Sequence, residues 1–175
     1  MLFYGLEIHT AIVHFPIALG IVGAVALLAY AIFRWGWLRW FAPVLLTLAL
    51  LGAGGAYFSG KSAEDRAEHA GVPDRAIDEH QDAALWGIGV LALATLLTWA
   101  TVPRGRGIWI AVILALMAGA ALARAGHLGG KLVFEYGAGR VPGSPAAGVK
   151  AGAAAAPAAG GEAEEHDGRS EGHEH

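Results

Sequence analysis

AIVHFPIALGIVGAVALLAYAIF, residues 11–33, is followed after only RWGW (residues 34–37) by LRWFAPVLLTLALLGAGGAYF, residues 38–58. The first run contains no Asp, Glu, Lys or Arg, and the second contains only Arg39. A hydrocarbon core about 30 Å thick needs roughly 20 apolar residues as helix, so each run is long enough to cross it once. A link this short makes the two crossings an antiparallel hairpin. The pattern returns at residues 83–102 and 108–126, joined by Pro103–Gly107. The chain therefore predicts an all-α integral membrane protein, a four-helix transmembrane bundle of two antiparallel hairpins. Its membrane domain is expected over residues 1–142, with an outer acidic loop at 59–82.

Composition agrees. The 175 residues are 55% hydrophobic and 15% charged, with a mean hydropathy of +0.49. Soluble domains carry about 25% charged residues, so the missing charge excludes an ordinary soluble fold. The absence of cysteine removes disulfides, thiolate metal sites, iron–sulfur clusters, covalent c-type haem and cysteine nucleophiles. No HExxH, Walker loop, nucleophile elbow or paired carboxylate lies in the spans, so hydrolytic and phosphoryl-transfer enzymes have no support. An electron-transfer or binding protein is favoured over a stand-alone enzyme, and no nucleic-acid partner is expected. The start MLFYGLEIHT lacks a basic region and carries Glu7, so the first span is expected to be retained rather than cleaved.

Arg34, Arg39, Arg104 and Arg106 mark the two short turns, which hold no acid, whereas residues 59–82 carry seven acids against Lys61, Arg66 and Arg75. The positive-inside rule then puts the arginine turns in the cytoplasm and both termini outside, in a bacterial cytoplasmic membrane. Trp35, Trp37, Trp40, Trp99 and Trp109 gather at the arginine level, as interfacial anchors do. In the outer segment, Ser62 with Asp65 resembles a helix start, and Pro73 opens a stretch that can run into the third span. Residues 143–175 turn to Ala, Gly and Pro and end in GEAEEHDGRSEGHEH, a composition expected to be disordered. His166, His173 and His175 there, and His69 in the loop, read as solvated.

The remaining four histidines, His9, His14, His80 and His127, all fall at the outer end. Any one alone is more often an interfacial side chain satisfied by its surroundings; several at one end of a bundle suggest a site. His14 precedes Pro16, which either begins the helix or interrupts its hydrogen bonding. His9 stands about 140° from His14 on a regular helix, so both face one point only if the proline breaks it. Below His80 lie Ala83, Ala84 and Gly87, and below His127 lie Ala123, Ala120 and Gly119. Such troughs serve either close helix packing or a slot for a flat cofactor. Arg124, one turn before His127, could pair with a haem propionate or anchor the helix at the interface.

Imidazoles without thiolates suit iron porphyrin, copper, zinc or nickel. Histidines on facing helices of a membrane bundle favour haem b, with His14 and either His80 or His127 as axial ligands. The alternative is a Cu or Zn site of three or four histidines, with Asp78, Glu79 and Asp82 in support.

HTAIVHFPIAL (residues 9–19) and GHLGGKLVFEYGAG (residues 126–139) together resemble a bacterial family of four-span membrane proteins, domain of unknown function 2231. The resemblance spans about residues 6–142 and implies a four-helix membrane domain with outer-facing histidines, in a family where haem has been suspected and some members carry cytochrome c-like domains. Its motif positions are His9, His14, Pro16, His127, Gly129 and Gly130, with Thr10 where a proline is often seen and Tyr136 where a histidine is common. The expected function is periplasmic-side electron transfer through histidine-ligated haem b, with the bilayer, a cytochrome or respiratory complex, or a second copy of the chain as partners. The alternatives are a Cu, Zn or Ni binding or delivery module, or a scaffold whose histidines only hydrogen-bond the loop.

Overall fold

The computed structural model describes residues 5–69 and 71–138. Helices α1 (Gly5–Phe33), α2 (Leu38–His69), α3 (Asp74–Thr101) and α4 (Ile108–Phe134) account for nearly all of them. Each contains a stretch long and apolar enough to cross a membrane, beginning at Ala11 in α1 and ending at Lys61 in α2. The tail from residue 143, including the disorder expected there and His166, His173 and His175, lies outside the described residues.

The hairpins α1–α2 and α3–α4 form as the short turns require, and α1 against α4 and α2 against α3 close a four-membered ring. The sequence does not disclose this order of neighbours. At the arginine end, Arg34 takes a left-handed φ of 55° after α1, while its amide still bonds the Tyr30 carbonyl at 3.0 Å. The core runs through Leu27, Leu46, Leu91 and Val112 with alanines between them. Valine, leucine and isoleucine side chains such as Val25, Leu51, Leu96 and Ile110 point outward, the all-round apolarity of helices solvated by lipid.

Small residues let these helices approach. A methyl added at Gly87 would lie 3.2 Å from Leu122 Cδ2 and 3.4 Å from the Leu122 backbone nitrogen. One at Gly119 would meet Ile21 at 3.7 Å, and one at Gly52 would meet Pro16 at 3.4 Å. The troughs at Gly87 and Gly119 are thus filled by neighbouring helices, the packing use of small residues rather than an open slot. Thr95 and Thr98, buried in α3, return their hydroxyls to the carbonyls of Leu91 and Ala94 at 2.7 Å, so neither is left unsatisfied.

The outer connection is less a loop than a helical hairpin. Ser62 and Asp65 start no new helix, because α2 continues through them to His69. Gly71 then reverses the chain with φ 80°, its amide on Glu68 O and that of Val72 on Ala67 O, a Schellman closure that satisfies these two carbonyls at the end of α2. Pro73 caps α3 in extended conformation, as its fixed φ favours. A second small core of Ala67, Val72, Ile77 and Ala138, with Leu132 and Tyr136 against it, ties this hairpin to the end of α4.

Candidate functional site

Two of the four outer histidines come together. His9 on α1 and His80 on α3 meet across the diagonal of the helix ring, their centroids 6.5 Å apart and their planes at 86°. The other two helices hold them. His9 Nδ1 lies 2.9 Å from Ser59 Oγ of α2, and that hydroxyl lies 3.0 Å from the Ala56 carbonyl. A carbonyl can only accept, so with the serine proton on Ala56 it is His9 Nδ1–H that donates to the serine oxygen. His80 Nδ1 lies 3.0 Å from the Ala125 carbonyl of α4 and must also donate. When neutral, His80 is therefore the Nδ1–H tautomer, and His9 shares it in this hydrogen-bond pattern, which leaves Nε2 of each ring as the lone-pair nitrogen. Burial pushes the His9 imidazole below its ordinary titration range, and a positive charge on His80 would push it the same way, so the site favours neutral His9.

Glycine makes the room. A methyl at Gly60 would sit 3.1 Å from His9 Cε1, and one at Gly129 would sit 3.0 Å from His80 Cε1. Each ring therefore leans on bare backbone of the adjacent helix. All four helices contribute: two supply rings, and two supply an acceptor and a glycine.

The other expected site residues lie elsewhere. Because α1 runs unbroken through Pro16, His14 is carried around the helix from His9 and is exposed. His127 and Arg124 are exposed on α4. Tyr136 belongs to the second core. His69 bonds the Asp65 carbonyl within α2. Asp78, Glu79 and Asp82 are exposed, and Glu79 pairs with Arg75 at 3.1 Å. Among the described residues no three His, Asp or Glu side chains gather to hold an ion. The expected centre of three or four histidines is thus not assembled there, because helical register turns His14 and His127 away from the diagonal. From the sequence, Ser59 and Gly60 follow the small-residue end of span two, where backbone can approach a ring closely, but the Ser59 hydrogen bond to His9 and the Ala125 carbonyl that meets His80 were not foreseen, and a carbonyl leaves no sequence signal.

A family model described as predicted membrane protein (DUF2231) matches residues 5–142, which include all four helices and both rings. No curated protein and no solved structure matches the chain.

Proposed function

Since the chain belongs to the DUF2231 family of predicted membrane proteins, we propose a function from its own residues: it holds a b-type haem between His9 and His80 for electron transfer at the outer face of a bacterial cytoplasmic membrane. The observation that carries this is the diagonal pair of imidazoles, 6.5 Å apart and each tied through Nδ1 to a flanking helix. His9 and His80 are the residues that would hold the iron, each presenting an imidazole from an opposite helix of the ring. A donated Nδ1–H is also the second-shell arrangement that orients a ligating imidazole and raises its basicity. Bound there, haem supplies one-electron chemistry; the chain's own part is to fix both rings, keep them neutral and wall the site with apolar helix. In this proposal His9 and His80 would hold the group in place of a pair that includes His14, and exposed Arg124 would meet lipid phosphate rather than a propionate. The arginine turns face the cytoplasm, the histidine pair faces the periplasm, and a cytochrome or respiratory complex is the natural partner.

A two-coordinate copper(I) is the second reading. Two imidazoles with no third ligand among the described residues suit a soft cuprous ion better than zinc, which takes four ligands in structural sites. Haem and metal content of the full chain, purified in detergent from haem-supplemented cells, separates the two. Near-stoichiometric haem with Soret and α bands in the reduced-minus-oxidised spectrum supports the first. Copper without those bands supports the second, and neither at stoichiometric level overturns both.

A further inference from the structure

The arginine end carries charge that the described protein does not balance. Residues 8–63 and 83–134 contain no Asp or Glu, so Arg34, Arg39, Arg104 and Arg106 have no carboxylate on any of the spans around them. The acids of the outer hairpin stand at the far ends of α2 and α3, a bilayer's thickness away at about 1.5 Å per residue. Among the described residues the only ion pair is Arg75–Glu79, at the histidine end.

Two of these arginines are held in place. Arg39 is half-buried, lies 5.2 Å over the Trp40 ring, and sends one terminal nitrogen to the Pro103 carbonyl at 3.5 Å, linking the first turn of α2 to the α3–α4 turn. Its Nε is buried without a hydrogen-bond partner. Arg104, the next residue after Pro103, gives Nη1 to the Ala100 carbonyl at 2.7 Å. Beside them Trp40 and Trp99 pack at 6.1 Å, and Trp99 donates to Thr47 at 3.0 Å. Exposed Phe33, Trp35 and Trp37 stack in succession along the turn, and Phe41 meets Trp37 at a tilt. Fixed guanidinium forks with donors to spare, set in an aromatic layer of the kind that lies at headgroup depth, match a phosphate attached to lipid.

We propose that the α1–α2 and α3–α4 turns bind the headgroup phosphate of an anionic phospholipid, held by Arg39 and Arg104, with its glycerol region against Trp40 and Trp99. This is independent of what the histidines hold. The lipid supplies the missing countercharge and joins the two hairpins at the end opposite the histidine pair.

Native mass spectrometry of the full chain, released from detergent containing equimolar phosphatidylglycerol and phosphatidylcholine, tests it. At about fivefold per arginine near the surface, phosphatidylglycerol is retained at least fivefold over phosphatidylcholine. Arg39→Gln with Arg104→Gln brings the ratio near one, while Arg75→Gln with Lys131→Gln, at the histidine end, keeps it. If the first pair does not fold, wild-type protein in rising salt gives the same readout, with the preference declining as the arginines are screened. Equal retention of the two lipids, loss of preference in the histidine-end pair, or displacement of phosphatidylglycerol by millimolar inorganic phosphate overturns the proposal.

Discussion

His9 and His80 stand on helices that are not neighbours in the ring, yet their imidazoles come within 6.5 Å, each anchored by Nδ1 to a helix lying between them. Anchoring both rings through Nδ1 orients them without using either Nε2. The site is thus preorganised by backbone and one serine, and its properties follow from those supports.

Nitrogen-15 histidine NMR on cofactor-free protein should show His9 and His80 as the Nδ1–H tautomer, the minority form for free imidazole. In Ser59→Ala the His9 signals should move toward the common Nε2–H form while those of His80 stay put. Nε2–H at both rings of the wild type would remove the basis for ligation.

Gly60→Ala and Gly129→Ala each place a methyl about 3 Å from a ring carbon, so each should displace its imidazole and weaken cofactor retention. Gly130→Ala, where an added methyl meets nothing within 4 Å, should leave retention unchanged. Absorbance per protein after purification reads all three, and equal loss at Gly130 would point to general destabilisation instead.

Because burial disfavours charged His9, its folded-state pKa lies below the value of 6.5 it regains on unfolding. Its contribution to stability is therefore full above pH 6.5, declines as pH falls below that, and levels off beneath the folded-state pKa. Thermal unfolding in detergent from pH 7.5 to 5 should show this decline in the wild type and a shallower one in His9→Gln. Identical profiles would mean that His9 is not the buried neutral group described.

Gly87→Ala sets a methyl 3.2 Å from Cδ2 of buried Leu122, with the α4 backbone at contact distance behind it, so Leu122 must shift within a packed core, at a cost of about 1–3 kcal/mol. Gly54→Ala, with open space around it, should be neutral or gain up to about 1 kcal/mol from helix propensity. Paired thermal or denaturant unfolding of the two variants gives the comparison; similar values would show that α3 and α4 do not pack at Gly87.

Much of the architecture is legible in the chain. Four apolar runs and two tight turns predict the hairpins, since nothing else satisfies the backbone in lipid. Pro73 announces α3 through its own geometry. Ser62 misleads, because the motif that starts helices in loops cannot be told from a serine inside a helix until the neighbours are known. The site is only partly legible. His9 and His14 are separable on a helical wheel, but which of them faces inward depends on whether Pro16 breaks α1 and on which helices flank it. Both are matters of packing. The Ala125 carbonyl is invisible to sequence, since every residue has one.

The most direct test is the reduced-minus-oxidised spectrum of three single variants of the full chain, expressed with haem supplementation and purified alike. His9→Ala and His80→Ala should each lose the low-spin α band, and His14→Ala should keep it at wild-type intensity. A spectrum that survives both His9→Ala and His80→Ala, or that disappears with His14→Ala alone, would contradict ligation by the diagonal pair.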